Sequence, residues 1–321
     1  YGKYCSKPIK RSLSEAREDL RKTIHDSISN SEHQFTLIKS DVGTGKSFVA
    51  NSLPAEYPNR KILVLVKRIE NYENYPNFKP LPSLPEELKM YFKLHRKSGM
   101  NSYQIFEKME PKTIEATKLK SIYLNYKETE EKILKENQFI VATHSKFMQG
   151  SLKFEKFDLI IFDECLLDGL MKSTIFSARE LAELKNYSNA ISQELTIRID
   201  QMNTDTPVIV DLDENFRKKI TSLINSEIET AANLISAGKI YRNPTLKILK
   251  LFLSKCSVLK RESDYLAVPH FEFPRSKYLI LSATASEPIY TKLFKSDLIV
   301  KTIEPADLKA KVIQFSEKNP L

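Results

Sequence analysis

Short, mostly apolar runs recur along the chain, at residues 35–38, 62–66, 139–142, 159–162 and 278–281. Each is four or five residues long, and β-branched residues are frequent in them. Runs of this length that are apolar at successive positions are typical of strands buried on both faces, as in a parallel sheet. The pattern therefore predicts an α/β fold with a mainly parallel sheet flanked by helices.

The segments between these runs have helical periodicity. Residues 12–29 predict an amphipathic helix that leads into the first strand, and residues 102–137 are charged with helical spacing. Residues 178–195 and 214–237 each place apolar side chains on one helical face. Residues 72–90 hold several prolines and cannot form one regular element. We expect helical insertions in the α/β core.

A glycine-bearing turn follows the first run, with the sequence Ser40-Asp-Val-Gly-Thr-Gly-Lys-Ser47, and a predicted helix begins after it. Strand, turn and helix in this order predict a phosphate-binding P-loop. Lys46 would reach the β- and γ-phosphates, and the Ser47 hydroxyl would bind Mg²⁺. The general pattern has a glycine where this chain has Ser40. We assign nucleotide binding to Gly43, Thr44, Gly45, Lys46 and Ser47.

Two adjacent carboxylates, Asp163 and Glu164, end the run at residues 159–162. Ligands of open α/β sheets bind at the carboxyl ends of strands. Asp163 is therefore predicted to hold Mg²⁺ together with Ser47, and Glu164 to position or deprotonate the attacking water. With Lys46, these two acids are the predicted catalytic residues. The alternative is an exposed acidic turn.

The last run ends in Ser282-Ala-Thr284. Together the three segments resemble the first RecA-like domain of superfamily 2 helicases of the DEAD/DEAH-like kind. The turn resembles their motif I (Walker A), and Asp163 and Glu164 resemble motif II (Walker B). Residues 282–284 are identical to motif III. The resemblance implies ATP and Mg²⁺ as cofactors, and it implies that Ser282 and Thr284 couple the ATP site to nucleic-acid binding.

Two further strand ends resemble loops that touch the nucleic-acid backbone in that family. Lys67 and Arg68 follow the second run, and Thr143, His144 and Lys146 follow the third. Cations and hydroxyls suit contacts to phosphates. The resemblance implies nucleic acid as a partner, with DNA favoured over RNA. The alternative is two ordinary strands with polar ends, with His144 as a hydrogen-bonded loop histidine.

Several features depart from the family pattern. Cys165 and Leu166 follow the acidic pair, so the subfamily stays open, and no convincing Q motif precedes the P-loop. Such helicases have a second RecA-like domain with arginines that complete the ATP site, but only 37 residues follow Thr284. We therefore expect a fragment with weak ATPase activity alone, and the second domain as its partner.

The strand positions predict a discontinuous domain organisation. The layout resembles that of the iron–sulfur repair helicases, but no cysteine lies between Cys5 and Cys165 to hold the cluster. We predict a RecA-like core at residues 1–71, 138–176 and 266–321, a first insertion at 72–137 and a helical insertion at 177–265.

Composition agrees with a nucleic-acid partner. The net charge is +9 and the isoelectric point is about 9.1, which favours an acidic polymer. The three cysteines are far apart, which argues against a zinc site or a disulfide framework, and free thiols fit a reducing cytoplasm. No apolar run approaches the length of a membrane span.

The function favoured by these features is that of an ATP-hydrolysing motor domain of a helicase or translocase. Two other classes stay open. A terminase-type packaging ATPase also uses a P-loop and an acidic strand end, and a non-hydrolysing scaffold or loader could keep the fold without turnover. Lys46, Asp163 and Glu164 argue against the scaffold, because that role needs none of them.

Overall fold

A computed structural model describes residues 11–95, 102–149, 154–170, 173–200, 206–237, 239, 246–262 and 264–306. The described residues group into two compact units. The first draws on the described residues within 11–80, 137–166 and 273–306, and the second on those within 81–136 and 167–272. The domain boundaries given above stay a prediction.

The strands and helices of both units are numbered together in chain order. The strands are β1 (Phe35–Lys39), β2 (Ile62–Val66), β3 (Lys79–Pro80), β4 (Phe139–Thr143), β5 (Leu159–Asp163), β6 (Thr174–Ser177), β7 (Val208–Val210), β8 (Cys256–Lys260), β9 (Asp264–Pro269), β10 (Lys277–Ser282) and β11 (Leu298–Thr302). The α-helices are α1 (Leu13–Ser29), α2 (Lys46–Glu56), α3 (Glu86–His95), α4 (Ser102–Lys108), α5 (Ile114–Glu136), α6 (His144–Gln149), α7 (Leu167–Leu170), α8 (Ala178–Ala182), α9 (Asn189–Asp200), α10 (Glu214–Ser236), α11 (Leu246–Leu251) and α12 (Glu287–Phe294). Short 3₁₀ helices span Ile69–Asn74, Glu183–Asn186 and Lys295–Asp297.

The first unit is built on a seven-stranded sheet with the order β11-β1-β10-β5-β2-β4-β3. Its strand pairs are all parallel. Strands β2 and β5 are buried along their whole length, as their continuous apolar runs predict. The mainly parallel α/β fold is therefore confirmed. Strand β10 lies between β1 and β5, so the P-loop strand and the acidic strand are second neighbours.

Helix α1 begins where the sequence predicts a helix. The Ser12 hydroxyl accepts a hydrogen bond from the Glu15 amide, and the Glu15 carboxylate accepts one from the Ser12 amide, which is a capping box. Leu20, Ile24 and Ile28 recur at helical spacing and are buried in the core of the first unit. The helix delivers the chain to β1, whose carboxyl end carries the P-loop.

The second unit contains a sheet that the sequence analysis missed. Strands β6, β9, β8 and β7 form a four-stranded antiparallel sheet in that order. The helical insertion predicted at residues 177–265 therefore also contains strands, which were not predicted. Helix α10 was predicted almost to the residue, and it buries Ile220, Ile224 and Ile228 along one face.

The single helix predicted at residues 178–195 is divided. Helix α8 ends at Ala182, a 3₁₀ helix spans Glu183–Asn186, and α9 begins at Asn189. The Ser188 hydroxyl accepts a hydrogen bond from the Ile191 amide and so starts a new helix. None of the described helices combines the length and the apolar character needed to cross a bilayer.

Candidate nucleotide site

A cleft of about 540 Å³ opens in the first unit, at the carboxyl ends of β1, β10, β5 and β2. It brings together the predicted P-loop, the acidic pair and residues 282–284. The lining residues are Val42, Gly43, Gly45, Lys46, Ser47, Phe48, Lys67, Asn71, Asn74, Asp163, Glu164, Cys165, Leu281, Ser282, Ala283 and Thr284.

The two P-loop glycines adopt backbone conformations that other residues rarely take. The φ angle is +85° at Gly43 and +90° at Gly45. A Cβ at position 45 would also lie 2.8 Å from Nε of Arg17 on α1. The backbone angle therefore requires glycine at position 45, whereas the close contact could be relieved by movement of the flexible Arg17 side chain.

Lys46 is the first residue of α2, and its side chain turns back across the loop. Its Nζ donates to the carbonyl oxygens of Ser40 at 3.0 Å and Asp41 at 2.8 Å. Burial lowers the pKa of Lys46, and the negative charges of Asp163, Asp41 and Glu164 partly oppose this change. The ammonium is therefore held over the concave side of the loop, where a P-loop binds phosphate.

Thr44 differs from the other P-loop residues because it does not line the cleft. Its side chain is fully buried, and its hydroxyl lies within hydrogen-bonding distance of the Asp41 carbonyl oxygen and of the Ser40 hydroxyl, 3.3 Å away. The serine at position 40 thus contributes a bond that glycine could not make. Nucleotide contact by Thr44 stays a prediction, and the structure shows its side chain bracing the loop.

Ser47 and Asp163 lie 116 residues apart in sequence and meet at the sheet edge. The Ser47 hydroxyl donates to Oδ2 of Asp163 at 3.0 Å. A hydroxyl and a carboxylate beside a phosphate-binding loop are the hard oxygen ligands that suit Mg²⁺, which usually takes only one or two protein ligands and completes its shell with phosphates and water. Among the described residues, no group of three or more His, Cys, Asp or Glu forms a metal cage. The donor set therefore fits magnesium bound with a nucleotide.

Glu164 combines an exposed side chain with a strained backbone. Its φ angle is +82°, in the left-handed region that non-glycine residues avoid. The Glu164 amide donates to the Leu281 carbonyl at 2.9 Å, and the Leu166 amide donates to the Tyr290 hydroxyl at 3.1 Å. Hydrogen bonds to neighbouring elements thus fix the turn that directs the carboxylate of Glu164 into the cleft.

Tyr75 is a contact of the acidic pair that the sequence analysis missed. Its hydroxyl donates to Oδ2 of Asp163 at 2.7 Å, and the residue is 1% exposed. Burial raises the pKa of Tyr75 well above its usual value, and the adjacent Asp163 adds to this effect. The phenol therefore stays protonated and remains a donor at neutral pH.

Ser282 is the last residue of β10 and Thr284 follows the strand, between the P-loop and the acidic pair. The Ser282 carbonyl accepts from the Ser40 amide at 3.4 Å, and the Ser282 hydroxyl accepts from the Thr284 amide at 3.3 Å. This segment thus bonds directly to the base of the P-loop. Its predicted coupling role is compatible with that position and stays a prediction.

The predicted nucleic-acid contacts divide into two groups. Lys67 and Arg68 are exposed at the end of β2, and Lys67 also lines the cleft. Thr143 pairs in register with Val66 of β2. His144 and Lys146 lie on α6, which follows β4 without the expected loop.

His144 is poorly placed to contact a ligand. It is 7% exposed, its Nε2 donates to the Leu65 carbonyl at 3.0 Å, and burial lowers its pKa. Its ring also packs edge-on against Phe162, with 5.4 Å between the ring centroids. Of the two interpretations offered by the sequence, these contacts favour the hydrogen-bonded histidine.

Other residues at the cleft have no sequence signal that would have assigned them. Asn71 and Asn74 line the cleft from the 3₁₀ helix after β2, in a stretch treated as the start of an insertion. Phe48 is 61% exposed, and the Arg17 guanidinium lies 5.3 Å from its ring centroid. A pattern of apolar runs and glycines gives no information on such neighbours.

A wider groove of about 840 Å³ lies at the other end of the sheet, where Gln34, Arg60, Asp158 and Lys277 precede or begin their strands. It carries none of the predicted site residues. Size alone is therefore a poor guide here, and the smaller cleft, with its convergent polar groups, is the candidate site.

The fold resembles that of solved structures. A structure titled "Truncated XPD" aligns with a TM-score of 0.50 and 13% identity, over 90% of this chain and 98% of that one. Xpd4 of S. tokodaii aligns with a TM-score of 0.40 and 13% identity, over 89% of this chain and 60% of that one. At this identity the first likeness concerns the fold alone. No protein of curated function matches the sequence.

A protein-family model described as "Type III restriction enzyme, res subunit" matches residues 9–165, just under half of the chain. The match begins before α1 and ends directly after the acidic pair, so it contains both partners of the Ser47–Asp163 contact. Taken with the parallel sheet that positions these residues, the match makes this part of the chain similar to the RecA-like N-terminal domain of superfamily 2 helicases.

Proposed function

We propose that this chain binds ATP with Mg²⁺ in the cleft and hydrolyses it to drive movement on, or unwinding of, nucleic acid. One observation carries the proposal. The Ser47 hydroxyl and the Asp163 carboxylate are 3.0 Å apart, in a cleft that Lys46 and Glu164 also line. A lysine and an acid on opposite sheet edges would have excluded a shared magnesium nucleotide.

Each residue has a chemical role that follows from its position. Lys46 and the amides at the start of α2 would bind the phosphates. Ser47 and Asp163 would hold Mg²⁺, which when bound offsets the charge that develops on the phosphate oxygens. Glu164, exposed at the cleft, would accept a proton from water or orient it for attack. Assignment of these roles rests on geometry and on the kind of domain.

Nucleic acid would approach the ends of β2 and β4, where Lys67 and Arg68 are exposed and Lys146 lies in the first turn of α6. The net charge of +9 supports a polyanionic partner. Lys67 lines the nucleotide cleft as well, so one exposed cation is near both ligands. We favour DNA over RNA as the polymer, following the resemblance alone.

The test compares Lys46→Ala with the parent chain. We expect the variant to lose most of the affinity for a fluorescent ATP analogue in Mg²⁺ and to lose ATP turnover, because the phosphates lose their cation. Turnover is measured without nucleic acid, with single-stranded DNA and with single-stranded RNA. Lys22→Ala, an exposed lysine on α1, is the matched control and should behave like the parent.

The outcomes separate the candidate functions. Binding without turnover under all conditions would favour the scaffold or loader. Identical binding by Lys46→Ala and the parent would contradict the proposed site. Turnover stimulated by single-stranded polymer and lost in Lys46→Ala is the result that the motor function requires.

A further inference from the structure

We propose that Tyr75 is a positioning residue, which holds the Asp163 carboxylate in the orientation needed to bind magnesium with the nucleotide. The inference rests on the proposed function, because it assumes that Asp163 serves Mg²⁺. Tyr75 itself would touch neither metal nor nucleotide, and it does not line the cleft.

Two hydroxyl groups converge on one oxygen of Asp163. Tyr75 donates to Oδ2 at 2.7 Å, and Ser47 donates to the same oxygen at 3.0 Å. Two directed bonds to Oδ2 fix the plane of the carboxylate and aim Oδ1 in one direction. Partners of this kind, which bond a metal ligand from outside, commonly set its orientation and basicity.

The position of the Tyr75 hydroxyl is itself well determined. Its ring is 1% exposed and packs edge-on against Phe78, with 5.8 Å between the centroids. The Tyr75 amide donates to the Tyr72 carbonyl at 3.0 Å, and the Tyr75 carbonyl accepts from the Phe78 amide at the same distance. A side chain held by packing and by its backbone bonds loses little entropy when it orients a partner.

Burial also explains why the bond must persist. A phenol hydroxyl removed from water needs a hydrogen-bond partner, and an ionised carboxylate is a stronger acceptor than a neutral group. Asp163 is likewise buried, with 7% exposure, so its carboxylate oxygens need hydrogen-bond donors supplied by the protein. Tyr75 and Ser47 are two such donors.

The chain offers a matched control in Tyr72. This tyrosine lies three residues earlier, in the 3₁₀ helix that ends just before Tyr75, and it is partly buried against the same core. Its hydroxyl is not one of the two that donate to Asp163 among the described residues, which are those of Ser47 and Tyr75. Tyr72→Phe and Tyr75→Phe therefore remove the same atom from the same segment, but only Tyr75→Phe removes a bond to the carboxylate.

The experiment measures the affinity of each variant for a fluorescent ATP analogue, once with Mg²⁺ and once with EDTA. We expect Tyr75→Phe to weaken binding in Mg²⁺ by about 10-fold and to bind like the parent in EDTA. Tyr72→Phe should match the parent in both buffers. A merely structural role for Tyr75 would not distinguish the buffers.

Two results would overturn the assignment. One is parent-like affinity of Tyr75→Phe in Mg²⁺, and the other is an equal loss in Mg²⁺ and EDTA. A Lys46→Ala arm separates this failure from a failure of the proposed function. If Lys46→Ala binds like the parent, both proposals fall; if it loses affinity while Tyr75→Phe does not, only the Tyr75 assignment falls.

Discussion

The two units of this chain place their buried polar groups differently. In the first unit, five buried polar residues lie at or beside the edge of the sheet where the cleft opens, namely Ser40, Thr44, His144, Asp163 and Ser282, and two lie away from it, Ser27 on α1 and Thr36 within β1. The buried polar residues described in the second unit are Glu130, Ser192 and Ser236, each on a different helix. The rest of its core is a large apolar cluster built from helices and the antiparallel sheet.

This difference separates residues that serve a site from residues that serve folding. Buried polar groups and left-handed non-glycine backbone cost stability, so their concentration at one edge indicates a function that offsets the cost. Glu164 adds its φ of +82° at the same edge. In the second unit, most buried side chains are explained by packing alone. Substitutions should therefore affect chemistry in the first unit and stability in the second.

The largest expected effect is that of Glu164→Gln. The amide keeps the size of the side chain but cannot accept a proton, so ATP turnover should fall by about 10²–10⁴-fold. Affinity for ATP with Mg²⁺ should stay near that of the parent, because Lys46, Ser47 and Asp163 are unchanged. Turnover is measured with single-stranded nucleic acid present, alongside equilibrium binding of the nucleotide analogue.

Glu155→Gln is the matched control, because Glu155 is exposed just before β5 rather than just after it. It should turn over ATP like the parent. Equal losses in the two variants would show that general charge, rather than position at the cleft, sets the rate. That result would mean that a carboxylate at the cleft affects turnover no more than a carboxylate elsewhere in the first unit.

The next largest expected effect is a loss of stability in the second unit. Ile220 on α10 is fully buried, and Ile220→Ala should destabilise that unit by about 2–5 kcal/mol through lost burial and a cavity. Hydrogen exchange of peptides from α10 should accelerate, while the ATP affinity of the first unit stays unchanged. Ser222→Ala, exposed on the same helix, should alter neither. If Ile220→Ala lowered the affinity for ATP as well as the protection of α10 from hydrogen exchange, the two units would unfold together.

How far the sequence predicted the structure also differs between the units. Strands β1, β2, β4, β5 and β10 were recognisable because a strand buried on both faces is apolar at nearly every position. The P-loop was recognisable because glycines, lysine and serine must follow a strand at fixed spacing. Both signals involve residues that are close together in the chain, so they can be recognised in a single sequence.

The antiparallel strands of the second unit lack such a signal. Strand β7 has only three residues, and β8 and β9 are buried at alternate positions, as strands with one exposed face are. Short alternating segments beside strong helical patterns are easily missed. At residues 178–195 the buried face was right, since Leu181, Leu184, Ile191 and Leu195 are all buried, but the continuity of the helix was wrong.

Long-range contacts could not be predicted in either unit. Tyr75 and Asp163 are 88 residues apart, and no periodicity or motif connects a tyrosine after β2 with the end of β5. The same holds for Arg17, whose guanidinium lies over Phe48 and beside Gly45. Such contacts depend on which strands become neighbours, and only the folded sheet determines that.

The smallest expected effect comes from removing the same helix-capping motif in each unit. Ser12 and Ser177 each cap a helix with the same reciprocal bonds, to Glu15 and Glu180 respectively. Removing an N-cap hydroxyl typically accelerates opening of the first turn by roughly fivefold. We expect Ser12→Ala to increase hydrogen exchange in the first turn of α1 only, because the remaining turns of this 17-residue helix are held by core packing.

Ser177→Ala should increase hydrogen exchange over a larger share of its helix, because α8 has only five residues and the first turn is most of it. Exchange should therefore accelerate along all of α8, while ATP affinity stays at the parent value in both variants. Leu181 is the buried anchor of α8, and it limits how far the opening can go. If opening stays confined to the first turn in both variants, local packing rather than capping sets the stability of α8. The two units would then differ only in where their polar groups are buried, and not in how their helices are held.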